Sequence, residues 1–498
     1  MKNLKNVFVS FISQIIILSL GLVVPRIILV HYGSDTNGLT STITQIFSYM
    51  ALLEAGIGQA TTNALYPFIH GDSKDHDEIS QVMSVSRLYY RRITFLYGAG
   101  VIALSFILPF GLKTNVSYWT IFFVVLFEGM TGVISFWFIQ NRTAFLIADG
   151  KNYILSNIEL VSKILCYGCK IGLALFGVNI AFIQLGYFAV SLLKLGLYKT
   201  YMDRNYDWID YNINIEGLKL KDRNSYIVTE IAWTIFSSTD MIILSVFCST
   251  QLASVYAVYN MVFFALNSLL TAIYNSVKFN LGQTFHQDIN KYCKMHDLFN
   301  SIFMSSITIL MIVAYYLIIP FVKLYTSGVQ DINYIIIGLP LLFCLVQMIS
   351  WSRYIAGNLT AIAGYASKTA KFSIIEAFLN VTISLALVSY FGLFGVLLAT
   401  VCALPVKSLY CNYLSDIKIL KRQPINTISI IGINFITFFF AVLLKRSISY
   451  SISSYSSFVI YGGLFTLLFS VTVFFINCLI NRNLFNVCRG TTYKLLRR

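Results

Sequence analysis

Charge is the first thing this sequence lacks. Of its 498 residues only 11% are Asp, Glu, Lys or Arg, against about 25% in soluble domains. Hydrophobic residues make up 57%, and the mean hydropathy is +0.73. That balance excludes a water-soluble globular chain and points to an all-α polytopic membrane protein. A disulfide framework is also missing, because the 9 cysteines stand singly and mostly in apolar runs. Cys166 and Cys169 form a C-x-x-C inside a hydrophobic segment with no second Cys or His pair near it, which is no metal or redox site. No HExxH, P-loop, GxGxxG or GxSxG pattern occurs, and the 5 histidines are scattered. We therefore assign no catalytic residue, metal or cofactor, and do not read the chain as an enzyme. The longest polar stretches, His70 to Arg92, Lys199 to Tyr226 and Lys278 to Asp297, are too short for a folded soluble domain.

What is present is a series of apolar segments of spanning length. They lie at about 7–30, 39–68, 93–112, 117–139, 153–176, 178–198, 226–247, 251–276, 299–322, 334–356, 371–392, 394–413, 426–444 and 457–479. That predicts about 14 helices. The first is too long for a signal-peptide core and has no small-x-small cleavage site, so it reads as retained. The net charge of +15 does not indicate nucleic acid, because the 36 Lys and Arg sit in alternate loops. With the N-terminus inside, inside segments hold about 26 of them, outside loops about 4, and 6 lie within apolar segments. This predicts a multi-pass membrane protein with both termini cytoplasmic. The tail with Arg482, Arg489, Lys494, Arg497 and Arg498 reads as an anchor near anionic headgroups.

The chain repeats itself. Asn141-Arg142-Thr143-Ala144, Lys151 and Glu159 recur as Asn358-Leu359-Thr360-Ala361, Lys368 and Glu376. Ile27-Ile28-Leu29 recurs as Ile242-Ile243-Leu244, and Gly177-Val178 as Gly395-Val396, at offsets of about 215 to 218 residues. Six helices separate the copies, which predicts two parallel six-helix halves around a central cavity, followed by two extra helices. The expected divisions are 1–200, a linker at 201–225, a second half at 226–418, and the extra helices with the basic tail at 419–498.

A charge within an apolar span is costly unless it faces protein or water. Six cations do this: Arg26, Lys163, Lys170, Lys194, Arg353 and Lys407. Lys194 and Lys407 lie near helix ends and can snorkel to the interface. Arg353, between Trp351 and Tyr354, fits an interfacial belt as well as a cavity. Lys163 pairs at i, i+4 with Glu159 or faces a cavity, and Lys170 extends the same stripe. Pro25 loosens the first helix beside Arg26, which favours a cavity-facing Arg26. The cavity cations are thus Arg26, Lys163, Lys170 and Arg353.

Polar stripes also run along three other helices: Glu230, Thr234, Ser237 and Asp240; Ser373, Glu376, Asn380 and Ser384; and Tyr256, Asn260, Asn267, Thr271 and Tyr274. Much of this is interhelical packing. From the last stripe Tyr256, Asn260, Asn267 and Tyr274 are the candidate sugar-facing residues. The carboxylates Glu54, Glu159, Asp240 and Glu376 are candidates for coupling to Na⁺ or H⁺.

The opening segment carries a resemblance. Pro25-Arg26, Tyr32-Gly33, Asn37-Gly38-Leu39 and Leu53-Glu54-Ala55-Gly56-Ile57-Gly58-Gln59-Ala60, leading to Leu65-Tyr66, resemble the start of bacterial polysaccharide flippases for O-antigen or capsule repeat units. These belong to the multidrug/oligosaccharidyl-lipid/polysaccharide exporter superfamily. The resemblance implies a place in the bacterial inner membrane and movement of an undecaprenyl-diphosphate-linked oligosaccharide from its cytoplasmic to its periplasmic leaflet by alternating access, with membrane lipids, a polysaccharide polymerase and a chain-length regulator as partners. Cations would meet the diphosphate and polar or aromatic groups the sugars. Glu159 and Asp240 depart from the cationic lumen usual in that family. The competing readings are a drug or metabolite antiporter of the same superfamily, a membrane polymerase or ligase, and a non-transporting scaffold. Cations on the fifth helix weigh against the first, short outside loops against the second, and costly buried charge against the third.

Overall fold

The computed structural model describes residues 2–54, 57–70, 73–211, 213, 239–448, 450–481 and 484–485. It is helical apart from a two-residue antiparallel ribbon, β1 (Ile69–His70) with β2 (Ser73–Lys74). Helices are the element a bilayer permits, since each satisfies its own backbone hydrogen bonds. In chain order they are α1 (Lys2–Met50), α2 (Ile57–Leu65), α3 (His76–Gly111), α4 (Tyr118–Ile134), α5 (Gln140–Ala148), α6 (Asn152–Leu175) and α7 (Ile180–Asn205). There follow α8 (Thr239–Cys248), α9 (Thr250–Gln287), α10 (Ile289–Tyr325), α11 (Leu339–Trp351), α12 (Tyr354–Ile362), α13 (Ala366–Phe391), α14 (Leu393–Tyr413), α15 (Ile425–Leu444) and α16 (Tyr455–Ile480).

Ten helices among the described residues are long and apolar enough to cross a membrane. α6, the two arms of α1 and α8 fall on the remaining segments expected from the sequence, of which the one at 226–247 is described only from Thr239 onward. The arms of α1 part at Gly33 (φ 80°) rather than at Pro25, which the helix accommodates in its interior. α4 continues through a π-turn, Ser135–Ile139, into α5. α3 and α10, with 36 and 37 residues, are about 55 Å long at about 1.5 Å per residue and outlast a hydrocarbon core of about 30 Å. Their polar first turns therefore stand outside it.

The repeat is visible in the backbone. α3 and α10 both begin at an aspartate N-cap, Asp75 and Asp288, and both carry a late proline, Pro109 and Pro320. α5 and α12, 9 residues each, both end before a positive-φ glycine, Gly150 (70°) and Gly364 (80°). The turns after α6 and α13 use Gly177 (69°) and Gly392 (53°).

The chain packs as two compact units, residues 1–255 and 256–498. The boundary falls later than the expected 226 because α8 and the start of α9 are fastened to α1. Thr42 pairs with Ser245 at 2.5 Å, and Asn37 Nδ2 donates to Ser254 Oγ at 2.7 Å. Asp35 accepts from Thr114 Oγ1 (3.0 Å), the Asn115 amide (2.7 Å) and Thr250. A Cβ on Gly38 would come within 1.7 Å of the Thr250 carbonyl oxygen, so only glycine permits this approach of the two helices. The core of the first unit has one cluster around Leu39, Ile43, Val101, Val125 and Ile183 and a second around Leu65, Met83, Phe145, Leu146 and Met202.

In the second unit α10 is largely enclosed and carries α15 and α16 on its flank. Asn434 joins them, accepting from Thr308 Oγ1 (3.0 Å) and donating to Asn477 (2.9 Å). Below, Arg422 forms a fork to Asp297 (2.6 and 3.0 Å) and bonds Asp416 (2.8 Å). Large apolar side chains face outward along both units, among them Phe110, Trp119, Leu467 and Val471, as a lipid-facing surface requires.

Candidate functional site

The densest group of in-membrane charges lies in the first unit, between α6 and α7. The helical spacing of Glu159 and Lys163 puts both on one face of α6, where their charged atoms are 4.0 Å apart. Lys194 reaches the other Glu159 oxygen from α7 and bonds it directly. The lysine read as a snorkelling residue thus anchors to a carboxylate 35 positions away. Further along the same face Lys170 lies 4.0 Å from the ring centre of Tyr187, and Lys163 lies 5.4 Å from that of Tyr167. Glu128 of α4, held by Gln184 of α7, is within electrostatic reach of Lys163 and Lys170. Three lysines against two carboxylates leave this group one net positive charge.

A cavity of about 380 Å³ opens beside it. Its polar wall is Ser135, Gln140, Thr143, Ser156, Glu159, Lys194 and Tyr198, with Ile17, Ile139 and Leu155 as the apolar remainder. Gln140 also donates to Glu54, whose carboxylate accepts from Tyr90 Oη at 3.0 Å. The cavity therefore joins two of the four acids singled out in the sequence. It offers hydroxyl and amide partners for a polyol, a carboxylate, and the Lys194 ammonium for an anion, with Lys163 just behind it across Glu159.

The other candidates are placed elsewhere. Arg26 is half-buried on the first arm of α1. Asp240 is buried near Tyr49 and Thr239 in the first unit, while Glu230, Thr234 and Ser237 lie outside the described residues. In the second unit Arg353 Nη1 and Glu376 Oε1 are 2.5 Å apart, with both side chains almost wholly enclosed and Lys407 nearby. Arg353 thus has a carboxylate partner that its Trp351 and Tyr354 neighbours did not suggest. Tyr256 packs on Phe343 (5.4 Å), and Tyr274 packs edge-on against Tyr354 (5.3 Å) and Phe303 (5.9 Å). Asn267 accepts from Trp351 Nε1 at 2.7 Å, and Asn260 is half-buried. The structure brings Glu159 to Lys163 and Lys194, sets Lys170 further along the same helix beside Tyr187, and brings Arg353 to Glu376. The sequence reading missed Glu128, Gln140, Gln184 and Tyr187. Glu128 was open to discovery, as a lone acid within a span of 31 residues. Among the described residues no group of three His, Cys, Asp or Glu is placed to hold a metal.

No family model and no curated protein matches the chain. Solved structures do. The chain is similar to the lipid II flippase MurJ in an inward closed conformation, with 13% identity, a TM-score of 0.68, and 96% of this chain and 100% of that one covered. It is also similar to an inward-facing multidrug resistance transporter of the MATE family, within the MOP superfamily, with 13% identity, a TM-score of 0.64, and 81% and 95% covered. A MATE protein in complex with MaL6 gives 14% identity, a TM-score of 0.56, and 84% and 97% covered. The fold is the one these membrane transporters and flippases share.

Proposed function

We propose that this protein is a flippase for a lipid-linked oligosaccharide carried on a prenyl diphosphate, working by alternating access with both termini in the cytoplasm. The observation that carries this reading is the α6–α7 group, a net-cationic cluster beside a hydroxyl-lined cavity within a membrane-spanning unit. A diphosphate bearing sugars cannot cross hydrocarbon unaided, whereas its prenyl chain can stay in the lipid. Ammonium groups that share a carboxylate can exchange it for a phosphate oxygen, and the Ser, Thr, Gln and Tyr wall suits sugar hydroxyls.

Coverage supports the same reading over export of an organic cation. The MurJ match spans 96% of the chain, too much to omit both α15 and α16, while the multidrug transporter matches reach 81–87%. A cation substrate would also favour an acidic, aromatic pocket over three lysines. Coupling to Na⁺ or H⁺ through Glu159, Glu54, Asp240 or Glu376 is part of the proposal. It would be withdrawn if transport by reconstituted protein ignored both gradients. The decisive experiment deletes the gene in its host and identifies prenyl-linked intermediates by mass spectrometry. A lipid-linked oligosaccharide accumulating on the cytoplasmic face is expected, and an unchanged lipid pool with lost resistance to cationic drugs would replace the flippase with an antiporter.

A further inference from the structure

Three arginines of the first unit stand apart from the α6–α7 group and are left idle by the function proposed above. Arg87 and Arg91 are one helical turn apart on α3, before its apolar stretch, and Arg142 approaches them from α5. The guanidinium carbons of Arg87 and Arg142 lie 5.7 and 5.8 Å from the ring centre of Tyr211, and that of Arg91 lies 5.4 Å from the ring of Trp137. Tyr211 is held in place because Ser84 Oγ donates to the Asp210 carbonyl (3.1 Å) and accepts from the Ile213 amide (3.3 Å). Arg142 gives one N–H to the Phe138 carbonyl.

Such a group is unfavourable by itself. Burial first, and then repulsion from Arg91 and Arg142, pull the Arg87 value below that of an ordinary arginine, with Tyr211 and Asp210 offsetting it in part. Arg91 and Arg142 each keep a buried Nε with no hydrogen-bond partner. Neither forms an ion pair with a carboxylate among the described residues. A guanidinium lying over an aromatic ring has its face covered, and its N–H edge remains to donate. Two such edges, on Arg91 and Arg142, each with an Nε–H that has no acceptor, fit an oxyanion, and more than one positive charge calls for more than the single charge of a carboxylate. A phosphate or diphosphate group meets both conditions.

We infer that Arg91 and Arg142, assisted by Arg87, bind the phosphate group of a membrane lipid. The site stands beside the helix that gives Gln140 and Thr143 to the cavity. The lipid is either the diphosphate-bearing substrate, a source that rests on the flippase reading, or an anionic phospholipid, which does not depend on it.

The test uses the full chain in neutral detergent, with binding read by native mass spectrometry. The probes are farnesyl diphosphate against farnesol, and phosphatidylglycerol against phosphatidylcholine. The wild type is expected to prefer a phosphate-bearing probe over its neutral partner. The double variant Arg91→Gln/Arg142→Gln should bind that probe at least tenfold more weakly, and Arg91→Lys/Arg142→Lys should fall between, keeping the charge without the fork. Loss confined to farnesyl diphosphate assigns the substrate head, and loss confined to phosphatidylglycerol assigns a phospholipid. Equal binding by the wild type and the glutamine variant overturns the site, as does no preference in the wild type. Should the double variant not fold, Arg142→Gln alone gives the same reading. An unchanged lipid pool after gene deletion would end the flippase reading while the phosphatidylglycerol arm still decides the site. Accumulated oligosaccharide with undiminished binding in the variant would end this inference alone.

Discussion

Glu159 on α6 and Glu376 on α13 stand 217 residues apart at matching places in the two repeats, and each has a lysine of the next helix close by, Lys194 and Lys407. Their surroundings differ. The Glu376 side chain is 3% exposed and its partner Arg353 7%, a sealed pair. The Glu159 side chain is 36% exposed and is shared by Lys194 and Lys163, themselves 25% and 29% exposed. Duplication thus supplied one acid twice. The second copy closed around it as part of the packing, and the first left it open with an excess of cations. A ligand can compete for the open arrangement, whereas the closed one would first have to be broken.

The largest expected effect breaks the closed copy. Arg353→Ala leaves a buried carboxylate without its partner, which costs about 3–5 kcal/mol. Thermal unfolding of the purified protein should show a large drop, with much of it recovered in Arg353→Ala/Glu376→Ala. A loss below about 1 kcal/mol would place the pair with weak surface bridges and erase the contrast.

Next comes an exchange of residues between the copies. Asn380, which matches Lys163, is fully buried and donates to Thr400 Oγ1 at 2.8 Å. Asn380→Lys should cost about 2.5–3.5 kcal/mol, the toll of an ammonium in the middle of a membrane helix. The converse, Lys163→Asn, removes a half-exposed partner 4.0 Å from Glu159 and should change stability by less than about 1 kcal/mol. Its cost should fall on transport instead, with surface polysaccharide reduced tenfold or more. Unaltered polysaccharide in a stable Lys163→Asn protein would remove the substrate from α6.

Much of this was legible beforehand. Spans were readable because a bilayer demands about 20 consecutive apolar residues, and the repeat because Asn-x-Thr-Ala, Lys and Glu recur at fixed gaps; the glycine match was displaced, since the turn equivalent to Gly177 is made by Gly392 while Gly395 lies inside α14. Partners were harder to read. Lys194 looked like a snorkelling side chain because its nearness to a helix end is a local fact, and its bond to Glu159 is a tertiary one. Arg353 and Glu376 are 23 residues apart on different helices, and no periodicity joins them. The sequence marked Pro25 as a loosened point of the first helix, and the helix passes through it because a membrane helix tolerates a proline where neighbours satisfy the freed carbonyl; the kink falls at Gly33, whose positive φ leaves no periodic mark in the sequence. Tyr256 and Tyr274 formed a stripe that helical spacing revealed, but spacing could not tell a packed ring from an exposed one.

The smallest expected change in stability comes from neutralising the open acid. Glu159→Gln removes one partner from two lysines that are both partly exposed beside the cavity, so thermal unfolding should shift by less than about 1 kcal/mol. Its effect on an anionic ligand runs the other way from that of a lysine variant. Glu159 competes with a phosphate for Lys163 and Lys194, and removing it raises the net charge of the group. Farnesyl diphosphate should then bind a few-fold more tightly, up to about tenfold or 1.4 kcal/mol, while turnover slows because the anion leaves less readily. Glu376→Gln, whose acid is spoken for by Arg353, should leave that affinity unchanged. Weaker binding in Glu159→Gln would mean that the carboxylate holds the lysines in position for the ligand, and the open copy would then be as fixed in its arrangement as the closed one.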